Sequence, residues 1–187
     1  MVEFIIGSFI YAKYRKKYKL KYIFKSWEIY PSILFALFYI YLEITIWQQN
    51  YYFLPYAQYI KTATLLSYIP LIIKWKLYED ENGFILTSPM VLATLCLGLG
   101  SKLNKITMNV NENYMPSFPS NTYWTGYIKS NFIDGIHIIG NSHSHLIPLC
   151  NTIDIYYSIL SWGDILVRLY VFIIIYNAIK ISNKIIK

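Results

Sequence analysis

The stretch SILSWGDILVRLYVFIIIYNAIKI, residues 158–181, is the longest apolar run in the chain. It contains 24 residues, of which only Asp164, Arg168 and Lys180 carry a charge. A helix needs about 20 mostly apolar residues to cross the hydrocarbon core of a bilayer. The stretch therefore predicts a membrane-spanning helix over 158–181.

The composition of the whole chain agrees with this interpretation. Hydrophobic residues make up 56% of its 187 residues and charged residues only 14%, whereas a soluble domain carries about 25% charged residues. The charges also bunch into short intervals and leave long uncharged runs between them. This pattern is typical of segments that are solvated by lipid, so we predict an integral membrane protein.

Four further apolar stretches predict helices near 2–17, 30–47, 54–75 and 83–99. Pro31 falls in a first turn, where its missing N–H is harmless, and Pro70 should kink the third helix. Gly98 and Gly100 indicate a helix stop. The first stretch is short, so residues 2–12 either cross the membrane obliquely or lie in its interface. The predicted fold is all-α and polytopic, with about five membrane-embedded helices in one domain, 1–187.

The distribution of basic residues predicts the orientation. Seven of the seventeen basic residues lie between Lys13 and Lys25, and such clusters mark the cytoplasmic side. The C-terminus is also basic and should be cytoplasmic. The loop 100–157 has three lysines in 58 residues, so we expect it outside, folded as a cap over the helices. The protein should be a multi-pass component of the plasma membrane.

Four ionisable residues within the predicted spans form the first candidate site: Glu43, Lys61, Asp164 and Arg168. At a rise of about 1.5 Å per residue, all four should lie in the outer half of the bilayer. Charges in hydrocarbon usually persist only when they are paired or functional. The cluster is either a ligand-binding pocket or a structural network. We expect an ion pair between Glu43 and Lys61, with Asp164 as the rival partner of Lys61.

The outside loop holds the second candidate group: His143, His145 and Cys150, with His137 nearby. Imidazole and thiolate are competent metal ligands, but an H-x-H spacing is also common on polar loop surfaces. We predict no metal site and no cofactor. Cys96 lies near the outer end of its helix, so a disulfide with Cys150 is one possibility if the cap folds down.

The outside loop and the helix after it resemble a family of small uncharacterised bacterial integral membrane proteins, described only by a domain of unknown function. The resemblance rests on Met115-Pro116, on His145 seven residues before Thr152, and on Ser161-Trp162-Gly163-Asp164, which opens the last helix. It implies about five helices with an outside segment, and it implies no particular activity.

From these features we expect a non-enzymatic membrane component, either a subunit or scaffold of a larger assembly or a small-ligand receptor. Its partners would be the lipid bilayer and another membrane protein, and not nucleic acid. One alternative is a cysteine peptidase, because the combination of a Cys with a His is similar to that of membrane peptidases that process bacterial peptide signals. A small transporter is the other alternative, although ionisable residues are missing from the inner half of the predicted spans.

Overall fold

The computed structural model describes residues 1–48, 50, 52–81, 88–120, 136–155 and 158–185. Within these ranges the chain is mostly helical. It divides into two compact units. The first contains Met1–Ile44, Tyr59–Leu95 and Arg168–Lys187, and the second contains Thr45–Gln58 and Cys96–Val167.

We number the α-helices of the described ranges in chain order: α1 Val2–Ile10, α2 Tyr30–Trp47, α3 Ala57–Leu66, α4 Ile69–Glu81, α5 Ser88–Val110 and α6 Trp162–Ile185. A π-helical turn at Tyr11–Arg15 continues α1. This helical segment therefore ends at Arg15, two residues before the end of the predicted helix 2–17. The bounds of α2 coincide with the predicted 30–47. Short 3₁₀ segments connect these elements: Leu20–Lys25, Trp27–Ile29, Leu54–Tyr56 and Ile147–Leu149.

The prediction of an all-α fold is wrong for the loop region, whose described residues include four short strands: β1 Met115–Ser117, β2 His137–Ile139, β3 Ile153–Asp154 and β4 Ile159–Leu160. Strands β1 and β2 pair in parallel, with Met115 opposite His137, and β3 pairs antiparallel with β4. Because β4 occupies the residues before the last helix, α6 begins at Trp162 and not at Ser158.

The third predicted helix, 54–75, is interrupted and forms the separate helices α3 and α4. The interruption lies at Ser67 and Tyr68, directly before Pro70. Proline has no N–H to donate, and its ring clashes with the carbonyl four residues earlier. The carbonyl oxygen of Ser67 instead accepts a hydrogen bond from Ser32 Oγ of α2, at 3.0 Å. A partner from a neighbouring helix therefore satisfies a backbone group beside the break.

The fourth helix was predicted to stop at Gly98 and Gly100, and this prediction is wrong. Helix α5 continues through both glycines to Val110, so residues 100–110 do not belong to a loop; the predicted residues 83–87 lie outside the described ranges. Good helix formers such as Leu103 and Lys105 follow the glycines and outweigh the cost of about 1 kcal/mol for each glycine.

Helix α6 supplies much of the core of the first unit. Among its buried apolar side chains, four are exposed by 2% or less: Val171, Ile174, Ile175 and Ile179. The ring of Tyr170 packs edge-on against that of Tyr68, with centroids 6.2 Å apart. This helix is therefore surrounded by protein along most of its Arg168–Ile185 portion.

In the second unit, α5 and α6 approach each other through a pair of glycines. A Cβ atom placed on Gly100 would lie 2.5 Å from the carbonyl oxygen of Gly163, and one placed on Gly163 would lie 2.6 Å from that of Gly100. Side chains do not fit at such distances, so this backbone contact requires glycine on both helices. Small residues serve the same purpose at helix crossings in membranes.

We predict that Gly100→Ala destabilises the protein, whereas Gly98→Ala does not. The first substitution overpacks the crossing, at a cost of about 1–3 kcal/mol. The second places a methyl group where no atom lies within 4 Å, and its higher helix propensity should stabilise α5 by up to about 1 kcal/mol. Thermal unfolding of the purified protein in detergent measures both effects. Equal behaviour of the two variants would contradict the close contact.

Candidate functional site

A buried ion pair joins the first and last helices. Arg168 of α6 is only 6% exposed, and its Nη1 donates to Glu3 Oε1 of α1. The other carboxylate oxygen of Glu3 lies 2.8 Å from the α-amine of Met1. A lone guanidinium buried in apolar surroundings is costly, so Glu3 supplies the negative charge that allows Arg168 to be buried.

Glu3 was missed in the sequence analysis, which treated residues 2–12 as one apolar stretch. A single carboxylate among ten apolar or small residues hardly changes an average over the stretch. The rule that singled out the other charges, namely that ionisable residues inside apolar runs are functional or paired, would have identified Glu3 as well. The pairing itself follows only from the fold, because 165 positions separate the two residues.

The expected ion pair between Glu43 and Lys61 is not among the ion pairs that the structure shows within its described ranges. The carboxylate of Glu43 interacts with the hydroxyl of Tyr39 and with the charge of the Met1 α-amine, and Lys61 is exposed on α3. The rival pairing of Lys61 with Asp164 is not shown either. The pairing was predicted from similar depth along two helices, a criterion that says nothing of the helix faces.

Asp164 serves a different purpose from Arg168, although one helical turn separates them. Its backbone N–H donates to Ser161 Oγ at 2.9 Å, and its Oδ2 accepts from the N–H of Ser161 at 3.3 Å. These reciprocal bonds form a capping box at the N-terminus of α6. Asn104 of α5 closes the group: its Nδ2 donates to Asp164 Oδ1 at 3.0 Å, and its Oδ1 accepts from Ser161 Oγ at 2.8 Å.

The Ser-Trp-Gly-Asp motif at 161–164 therefore has a structural explanation. Ser161 and Asp164 cap the last helix, and Gly163 allows the approach of α5. Asn104, which the sequence analysis did not single out, connects the cap to that helix. The contacts that these residues make in the second unit hold two helices and a helix start together, and they do not require a ligand.

A third polar group ties the start of α2 to α4 within the first unit. Lys74 Nζ lies 3.3 Å from Glu28 Oε2 and also donates to Ser26 Oγ, which in turn donates to Glu28. Both charged side chains are largely buried. Nothing in the sequence relates Lys74 to Glu28, because 46 positions separate the two residues.

The loop candidates His143, His145 and Cys150 all lie in the second unit. Among the residues that the structure describes, no group of three His, Cys, Asp or Glu side chains is arranged to hold a metal ion. His143 and His145 are exposed, and His137 lies in β2. Asn111 binds the backbone of His145 rather than its imidazole: its Oδ1 accepts from the N–H at 2.8 Å, and its Nδ2 donates to the carbonyl at 2.9 Å.

Cys150 is fully buried, and its Sγ lies 3.5 Å from the carbonyl oxygens of His145 and Leu146. Burial raises the pKa of the Cys150 thiol, which keeps the sulfur protonated at neutral pH. The thiolate is the nucleophilic form of cysteine, so this environment does not favour covalent catalysis. Cys96 and Cys150 are both free, and the disulfide considered from the sequence is not formed.

We predict that Arg168→Met lowers the free energy of unfolding by up to about 3–5 kcal/mol, because it removes the buried guanidinium from the Glu3 carboxylate and leaves that carboxylate only the α-amine of Met1. The double variant Glu3→Gln/Arg168→Met should recover much of this loss. Lys102→Met, at an exposed position of α5, serves as the matched control and should change stability by less than about 0.5 kcal/mol. Denaturation in detergent measures all three. A double variant no more stable than Arg168→Met alone would contradict the role of the pair.

No curated protein and no solved structure matches this chain. The sequence pattern of one family, described as a family of unknown function (DUF5317), matches residues 20–176. The match includes Gly100, Asn104 and the 161–164 motif, and it agrees with the resemblance to a family without an assigned function. Since it extends over most of the chain, the protein belongs to this family of unknown function, DUF5317.

Proposed function

We propose that the protein is a non-enzymatic integral component of the plasma membrane that acts as a subunit or scaffold of a larger membrane assembly. The observation that supports membrane embedding most directly is the distribution of polarity between exposed and buried side chains. Exposed large apolar residues follow one side of three helices: Leu34, Leu37, Phe38 and Tyr41 of α2; Ile69, Ile73 and Leu77 of α4; Val91, Leu92, Leu95 and Leu99 of α5.

The buried positions of the first unit include several polar side chains: Ser32, Thr64, Ser67, Asn177, Ser182 and Asn183. Rows of exposed large apolar side chains along helices are unusual in soluble proteins and mark contact with lipid or protein. In lipid, helices associate through close packing and hydrogen bonds rather than through the hydrophobic effect. The polar contacts within the first unit are therefore those expected of a membrane-embedded protein.

Within the described ranges, two segments are long and apolar enough to cross a membrane, Trp27–Ile46 and Trp162–Ile185. The core helix of a soluble protein can satisfy the same criterion, so burial distinguishes the two cases. Two thirds of the second segment is buried, but only a third of the first. An apolar segment of 20 residues of which only a third is buried has no stable environment in water, which favours a bilayer around Trp27–Ile46. We further propose that the remaining helices are embedded in the membrane. We also propose that the loop that follows α5 lies outside.

The role as a subunit or scaffold follows from how the reactive groups are used. The carboxylates of Glu3 and Glu28 neutralise cations, Asp164 caps a helix, and Cys150 is held protonated. Each of these groups has a structural task in the described ranges. We infer that the protein acts through what its surface binds and not through a reaction.

In membranes from cells that express the full chain, we predict that the protein stays in the pellet after extraction with alkaline carbonate and is released only by detergent. Lipid contact along α2, α4 and α5 is the physical reason. After mild solubilisation it should co-purify with another membrane protein, and Cys150→Ser and His145→Ala should leave that association unchanged. Release by carbonate would refute membrane embedding. Stable isolation without a partner would refute the subunit role.

The orientation is tested separately by labelling single cysteines in a background without Cys96 and Cys150. Ser142→Cys, at an exposed loop position, should react with an impermeant maleimide in intact cells. Lys21→Cys, at an exposed position of the basic segment, should react only after permeabilisation, because basic loops face the cytoplasm. The reverse pattern would overturn the proposed topology.

A further inference from the structure

Residues 13–25, here called the basic segment, present a dense cluster of positive charge. Each basic side chain in the segment is exposed: Lys13, Arg15, Lys16, Lys17, Lys19, Lys21 and Lys25. None of the seven has an acidic partner among the residues that the structure describes, where the ion pairs involve Glu3 and Glu28. Like charges at this density repel one another, so the surface favours an anionic partner.

The basic segment is folded and not merely a charged linker. The backbone N–H of Lys19 donates to Asn183 Oδ1 at 2.8 Å, and Asn183 Nδ2 donates back to the carbonyl of Lys19 at 3.2 Å. Ile23 is completely buried, and the ring of Phe24 stacks on that of Phe9, with centroids 5.7 Å apart. These contacts fix the backbone, and the lysines are therefore presented outward from a defined surface.

Aromatic side chains accompany the cations. Tyr14, Phe24, Trp27 and Tyr30 are all exposed, Tyr14 and Trp27 by more than 65%. Tryptophan and tyrosine favour the boundary between lipid and water. The basic segment also ends two residues before Trp27, where the apolar segment Trp27–Ile46 begins. Its cations would therefore lie at the level of the lipid headgroups if that segment spans the bilayer.

We propose that the basic segment is a binding surface for the phosphate headgroups of anionic phospholipids in the cytoplasmic leaflet. This inference rests on the membrane location proposed above. It goes beyond the prediction that the basic segment faces the cytoplasm. That prediction uses only the number of charges, whereas the proposed surface also depends on the backbone contacts with Asn183. Nucleic acid also carries phosphates, but adjacency to an apolar span favours the bilayer as the source of the anion.

The test uses the full chain in a neutral detergent, with its melting temperature measured as phosphatidylglycerol or phosphatidylcholine is added. Phosphatidylglycerol should raise the melting temperature, phosphatidylcholine should not, and added salt should weaken the effect. Lys21→Glu/Lys25→Glu should reduce the response to phosphatidylglycerol several-fold. Lys102→Glu/Lys105→Glu changes the net charge equally at exposed positions of α5 and should retain the response.

Asn183→Ala distinguishes a built surface from diffuse charge, because it keeps all seven cations and removes the two bonds to Lys19. A weaker response to phosphatidylglycerol than that of the wild type would support the proposal, and an unchanged response would overturn it. Equal effects of the two lipids, equal effects of the two charge-reversal pairs, or stronger stabilisation by an oligonucleotide would also overturn it. Carbonate extraction distinguishes failure of this inference from failure of the proposed membrane location. A protein that stays in the membrane but shows no preference for phosphatidylglycerol refutes only this inference.

Discussion

A guanidinium group that is buried among apolar side chains needs a counter-charge inside the protein, and Arg168 obtains it from Glu3. This requirement constrains the first unit, because it brings the start of the chain against the last helix. Once α1 is held there, the chain that follows it continues along α6 in the same direction, and Asn183 binds the backbone of Lys19. The ion pair and the amide contact thus fix the N-terminal segment at two points of α6.

The second unit is organised by a close backbone contact rather than by charge. Gly100 and Gly163 allow α5 and α6 to touch, and Asn104 reaches the helix cap because the glycines leave it room. Each feature depends on the other, since a side chain at Gly163 would collide with Asn104. Of the two interpretations that the sequence left open for Asp164, a ligand pocket or a structural network, its hydrogen bonds favour the structural one.

The sequence predicts those features that local chemistry decides. Helix α2 has the predicted bounds because a proline in its first turn and a polar segment after Trp47 limit it on both sides. Pro70 marks the region of the helix break for the same kind of reason. The glycines of α5 were misinterpreted, because a glycine that ends a helix and one that permits a helix contact look alike without the partner helix. The short strands also escaped prediction, since β1 pairs with residues more than 20 positions away.

In the candidate site, too, the sequence predicts which residues are unusual but not which residues they contact. Hydropathy identified Arg168 and Asp164 as unusual, but their partners, Glu3 and Asn104, lie 165 and 60 positions away. In the bilayer proposed for this protein, the burial of apolar surface contributes little to helix association, so pairs of this kind would carry much of the specificity of the fold. A polar residue in an apolar helix is therefore first a candidate for holding helices together. What remains for interaction with other molecules is the surface that these internal contacts do not use, and in the first unit that includes the outward-facing lysines of the basic segment.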